Sequence, residues 1–112
     1  MSAPVFRGKP ATLVVNPAAA GGRVGRDWAS LEARIREVLG DRLDCVFTER
    51  QGHGVTLARD AVRAGAKTLI SLGGDGTHHE VLNGLMAAGQ GEDVRLGVLH
   101  AGTGGDFRRV LN

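Results

Sequence analysis

Residues Thr68 to Leu85, TLISLGGDGTHHEVLNGL, decide how the rest of the chain is read. Thr68, Leu69, Ile70 and Leu72 make a short β-branched and apolar run closed by glycine, the pattern of a strand buried on both faces of a parallel sheet. Gly73, Gly74 and Gly76 then interrupt it around Asp75. Three residues without a Cβ permit positive φ and let a second molecule approach the backbone, so the turn reads as a cradle of N–H groups. Thr77 and Glu80 have the T-x-x-E spacing of a capping box, which predicts a helix opening at Thr77 with Val81, Leu82 and Leu85 as its apolar stripe. A glycine turn at a helix N-terminus combines unpaired donors with the positive end of the helix dipole, the physical requirement for holding a phosphate.

Working outward, Ala11–Val15 predicts a first strand that stops at Asn16-Pro17. Gly21, Gly22 and Gly25 precede a helix from about Asp27 to Leu39, whose apolar face is Trp28, Leu31, Ile35, Val38 and Leu39. Trp28 at the head of that stripe is read as core filling rather than as part of a base pocket. Leu43–Thr48 is the second strand. Gln51-Gly-His-Gly54 is a loop before a short helix with Leu57, Ala58, Ala61 and Val62 inward and Gly65 at its end. Gly89–Asp93 is a turn, Arg95–Leu99 the fourth strand, and Asp106–Leu111 the start of a further helix. Strands and helices alternate and no Asn-Gly hairpin occurs, so the fold is α/β, a Rossmann-like three-layer α/β/α arrangement on a parallel sheet of about four strands. Ligands of such sheets sit beyond the C-terminal strand ends, and glycine loops follow strands one, three and four. One shared ligand then requires strands one and three to be neighbours, in the order 2-1-3-4.

The three loops together carry a resemblance. Gly73-Gly-Asp-Gly-Thr77 followed by Glu80-Val81 and Asn83-Gly84 resembles the glycine-rich signature of the diacylglycerol kinase and sphingosine kinase superfamily of lipid kinases. Val14-Val15-Asn16-Pro17 with Gly21-Gly22 resembles that family's first loop, and Leu96 to Phe107 its third. The resemblance covers the chain from end to end as the N-terminal nucleotide-binding half of such a kinase, one domain over residues 1–112. It implies ATP with magnesium as cofactors and transfer of the γ-phosphate to a lipid hydroxyl, that of diacylglycerol or a sphingoid base. By position it implies nucleotide contacts from Asn16, Gly21, Gly22, Thr48, Gly73, Gly74, Asp75, Gly76, Thr77, His78, His79 and Thr103. It implies a second, β-rich domain that covers the lipid and supplies the general base, and a cytoplasmic protein working at the inner face of a membrane. His79, His100 and Gly105 stand where relatives commonly carry asparagine, proline and asparagine. These departures keep open a non-catalytic nucleotide-binding module. The G-G-D-G turn alone also resembles that of NAD kinases, a third alternative.

Phosphoryl transfer asks mainly for positioning and for charge neutralisation by magnesium shared between phosphate oxygens and a carboxylate. Asp75, inside the turn, is the candidate for that carboxylate and the candidate catalytic residue. No G-x-x-x-x-G-K-[ST] and no G-x-G-x-x-G after a strand occurs, which excludes the Walker P-loop and the dinucleotide fingerprint. His78 and His79 are adjacent and point about 100° apart on a helix, so they do not share a zinc ion; both are expected to border the phosphate site.

Composition narrows the classes further. A net charge of +2 without a basic tract, and aromatic residues at 4%, give no nucleic-acid footprint. Arg23 and Arg26, after the first glycine loop, are candidates for helping to hold phosphate. The lone Cys45 excludes an internal disulfide and reads as a small core residue. Apolar surface around Val110, Leu111 and the edge beyond strand four is expected to support self-association.

Overall fold

The computed structural model describes residues 11–89 and 93–101. The elements are β1 (Ala11–Val15), α1 (Arg23–Arg26), α2 (Trp28–Leu39), β2 (Leu43–Phe47), α3 (His53–Arg63), β3 (Thr68–Gly73), α4 (Asp75–Ala87) and β4 (Arg95–His100). All neighbouring strands are parallel and the sheet order is β2-β1-β3-β4, as the loop argument required. Thr103 and the expected helix over Asp106–Leu111, with Val110 and Leu111, lie outside the described residues.

The two interior strands are buried along their whole length, because helices cover both sheet faces. On one face Leu13, Val15, Ile70 and Leu72 pack with Leu31 and Ile35 of α2. On the other, Val14 and Leu69 pack with Ala58 and Val62 of α3 and Val81 and Leu85 of α4. The alternation of Leu13 and Val14 between these clusters follows from the two-residue period of a strand. Trp28 packs against the first cluster and meets Phe47 edge-on at 5.2 Å, so its core-filling reading holds. Cys45 is half-buried beside the same cluster, with Arg36 Nη2 3.6 Å from its sulfur.

Several local expectations are corrected. The first helix is preceded by a separate turn of helix, α1, entered through left-handed Gly22. α3 is longer than the sequence suggested. Gly52 takes the left-handed conformation at φ 87° and becomes its N-cap, drawing His53 and Gly54 from the expected loop into the helix. α4 opens at Asp75 rather than Thr77, directly after the extended N-cap Gly74, and the T-x-x-E capping box does not form. Thr77 is instead a buried third helical residue, and Leu82 and Val38 lie on exposed faces rather than in the apolar stripes.

Candidate functional site: the cleft at the strand ends

β1 and β3 are adjacent, yet the chain leaves β1 toward one face and β3 toward the other, which makes the space beyond them the switch point of the sheet. Asn16 fixes the geometry there. Its N–H donates to the Leu72 carbonyl at 2.9 Å, its side-chain Nδ2 donates to Thr77 Oγ1 at 3.2 Å, and its Oδ1 accepts the Ala18 N–H at 3.0 Å. One residue thereby joins the end of β1, the end of β3 and the first turn of α4. Thr48 is placed in the same way, its N–H donating to the Val15 carbonyl at 2.8 Å.

A cleft of about 610 Å³ opens between these ends, lined by Asn16, Pro17, Thr48, Gly76, Thr77 and Glu80 together with the segment Glu49–Gln51. Of the residues singled out from the sequence, the fold brings Asn16, Thr48, Gly76 and Thr77 into this one cleft. Gly21 and Gly22 do not line it; their positive φ values of 66° and 88° turn the chain into α1. Gly73, Gly74, Asp75, His78 and His79 are also absent from its lining.

The glycines of the turn divide by role. None of Gly73, Gly74 and Gly76 has positive φ, so conformational freedom is not why they are glycine. A Cβ on Gly73 would lie 2.5 Å from Thr77 Oγ1, which makes Gly73 a packing requirement. A Cβ on Gly74 or Gly76 would meet nothing within 4 Å, so those two leave open the space in front of the α4 N-terminus. The N–H groups of Asp75, Gly76 and Thr77 there have no carbonyl within the helix to bond, and no side chain of the N-cap supplies one.

Asp75 and His78 lie on the other flank of that N-terminus, toward β4. The Asp75 carboxylate is wholly exposed, with His100 Nδ1 at 3.9 Å. His78 Nδ1 is 2.7 Å from the Ser71 hydroxyl, and its ring centroid is 5.6 Å from that of His100. Its buried Nε2 has no hydrogen-bond partner among the described residues. Burial, then the neighbouring His100, hold its pKa below the ordinary histidine value, against a smaller opposing pull from Asp75. His79 is exposed on α4. Of the two histidines expected to border the phosphate site, His78 is turned to the sheet and to His100, and neither lines the cleft. Arg26 does not line the cleft, and its guanidinium pairs with Asp27 at 3.2 Å.

No group of three or more His, Cys, Asp and Glu side chains among the described residues is arranged to hold a metal ion. Magnesium binds through one or two carboxylates together with phosphates and water, so a single exposed carboxylate beside the α4 N-terminus fits an ion that arrives with a nucleotide rather than one held in a protein cage.

Sequence reasoning missed Glu80 as a cleft residue. It was assigned to a cap on its own helix, whereas its carboxylate accepts the N–H groups of Gly52 and Gly54, both at 2.9 Å, on α3. Glu49, Arg50 and Gln51 were also missed, since nothing in a short polar loop marks it as a wall until the sheet places it beside Asn16.

A parallel sheet wound on both faces, with a helix N-terminus open at its switch point, defines the doubly wound α/β class. Within it, the chain belongs to the diacylglycerol kinase catalytic domain family, whose pattern residues 10–112 match. It is 32% identical over 104 residues to a diacylglycerol kinase of Staphylococcus haemolyticus, covering 93% of this chain and 31% of that one. It is 30% identical over 106 residues to sphingoid long-chain bases kinase 1 of Arabidopsis thaliana, covering 88% of this chain and 14% of that one. A crystal structure of a diacylglycerol kinase from Bacillus anthracis superposes with a TM-score of 0.65 at 27% identity, over 90% of this chain and 36% of that one. The chain thus spans about a third or less of the length of the relatives it matches. No helix among the described residues is long and apolar enough to cross a membrane.

Proposed function

We propose that this chain is the ATP-binding domain of a diacylglycerol- or sphingoid-type lipid kinase, in which the γ-phosphate of ATP passes to a lipid hydroxyl. The observation that carries the reading is the open N-terminus of α4, with the Asp75, Gly76 and Thr77 amides aimed past two glycines that leave room in front of them. A phosphate chain lying across that N-terminus would have the Asn16–Thr48 cleft on one side and Asp75 with His100 on the other. The cleft would take the nucleoside end, walled by Thr48 and Glu49–Gln51. Asp75 would then stand beside the terminal phosphate, where its carboxylate can hold a cation shared with the phosphate oxygens. Magnesium, when bound with ATP, supplies neutralisation of charge shared between phosphate oxygens. The lipid, the membrane surface and a cytoplasmic location belong to the whole kinase in this reading.

Calorimetric titration of the chain with Mg-ATP tests it. The expected result is one-site binding that is weakened by a negative charge at position 74; no heat of binding from a folded chain would overturn the proposal. An assay with ATP, magnesium and dispersed diacylglycerol separates binding from catalysis. Little turnover is expected of residues 1–112 alone, since they correspond to about a third of the length of the diacylglycerol kinase from Staphylococcus haemolyticus.

A further inference from the structure

Two long helices present their N-termini near the same cleft, α3 from Gly52 and α4 from Gly74. Each end carries the positive end of a helix dipole and first-turn amides that no carbonyl one helical turn back can satisfy, so on helix geometry alone either could take a phosphate. The two are not equivalent. Glu80, in the second turn of α4, extends its carboxylate across to α3 and accepts the N–H of Gly52 at Oε2 and that of Gly54 at Oε1, each at 2.9 Å. No side chain of α3's own N-cap shares that work. The fit is close: a Cβ on Gly54 would stand 2.7 Å from Glu80 Oε1. The α4 N-terminus has no such side chain upon it, and the space before Gly74 and Gly76 is open.

We propose that Glu80 is a positioning residue of the cleft: as an internal anion it fills the α3 N-terminus, leaves α4 as the one vacant phosphate cradle of the pair, and pins the 48–52 segment as the cleft wall. The proposal deepens the nucleotide-binding reading and rests on it. A carboxylate lining a nucleotide cleft would ordinarily repel phosphate. Here its charge is directed into the dipole and the two amides of α3, which satisfies it. The backbone wall Thr48–Gly52 is thereby tied to the same helix, α4, whose first turn holds Gly76 and Thr77, so wall and cradle keep a fixed separation.

Amide chemical shifts of the isotopically labelled whole chain, titrated with inorganic phosphate, test this directly. In the unmodified chain phosphate is expected to move the amides of Asp75, Gly76 and Thr77 and to leave those of Gly52 and Gly54 in place. In Glu80→Ala, phosphate is expected to move Gly52 and Gly54 as well, and Mg-ATP affinity to fall about ten-fold, the scale of losing charge-assisted hydrogen bonds that hold a wall. Glu80→Gln keeps the shape and one good acceptor, so a smaller loss of about three-fold is expected. A residue that only capped α3 would lower the melting temperature when replaced without opening an anion site. Movement of Gly52 or Gly54 by phosphate in the unmodified chain, or its absence in Glu80→Ala, would overturn the proposal. Should Glu80→Ala not fold, the same two amides in Glu80→Gln decide. If phosphate moves no α4 amide in the unmodified chain, the nucleotide reading fails, while the Gly52 and Gly54 response of the variants still decides the role of Glu80.

Discussion

Asn16 and Thr77, 61 positions apart, are joined by a hydrogen bond of 3.2 Å from the carboxamide Nδ2 to the threonine hydroxyl, and this bond locks the end of β1 to the first turn of α4. Thr77 is buried and Asn16 half-buried at the edge of the cleft. Thr77→Val keeps the shape and removes the acceptor, leaving the Asn16 donor short of a partner. A loss of about 1–3 kcal/mol is expected, the cost of an unsatisfied polar group, measured by denaturant unfolding. Asn16→Ala should cost at least as much, because it also removes the acceptor of the Ala18 N–H.

Gly84 is the point of closest approach between α3 and α4. A Cβ there would run into the Val55 carbonyl and lie 2.7 Å from Ala58 Cβ. In an isolated helix Gly→Ala stabilises by about 1 kcal/mol, whereas forcing extra volume between packed elements costs about 1–3 kcal/mol. The obstructing atom is backbone, which yields little, so the second effect should win. Gly84→Ala is expected to lower the melting temperature; a rise would mean that the two helices separate freely.

Gly74 offers the reverse case. The position is extended, with φ at −93°, and faces open space, so Gly74→Asp should fold. Aspartate is a favourable N-cap residue, and stability should stay level or rise by a few tenths of a kcal/mol. The same charge would stand in the proposed phosphate position, adding repulsion of about 1–4 kcal/mol at 4 Å for dielectrics between water and a protein surface. Mg-ATP affinity measured by calorimetry should therefore fall while the melting temperature does not. Asp75→Asn should spare nucleotide binding and weaken its magnesium dependence.

His78 gives the fold a pH dependence with a definite sign. Its pKa in the folded chain is lowered, chiefly by burial, so in the acid range the unfolded chain binds the proton more readily. Stability is then greatest above the unfolded value of about 6.5 and declines as the pH falls below it, levelling once the folded value is passed. Thermal unfolding between pH 7.5 and 5 should show the decline, and His78→Gln should flatten it. A His78 resonance titrating above 6.5 in the folded chain would contradict the assignment.

Apolar side chains lie exposed on α4 and on the edge strand β4. Val98 is 50% exposed on β4, Met86 69% exposed on α4, and Leu82 and Leu96 lie exposed on the same two elements. Exposed apolar surface beside an edge strand favours association, so light scattering across a concentration series should show self-association that Val98→Lys with Met86→Lys reduces.

Much of this architecture was legible in the order of residues. Glycine-bounded runs such as Thr68–Leu72 allow one reading as buried strands, and three glycine loops serving one ligand require β1 beside β3. Both are consequences of local chain chemistry and of the handedness of parallel crossovers, which leave few alternatives. Of the candidate cleft, Asn16, Thr48, Gly76 and Thr77 were legible from the loop motifs, whereas Glu80 and the Glu49–Gln51 wall were not. What the tertiary structure decided was the choice of partners. Thr77 and Glu80 have the spacing of a capping box, but the helix opens earlier, at Asp75. The absence of a side chain at Gly84 brings α3 near enough for Glu80 to find the Gly52 and Gly54 amides, 28 and 26 residues away. A carboxylate bonds whichever donors the fold sets within about 3 Å of it, and that distance is a property of how α3 and α4 pack, not of the spacing between residues along the chain.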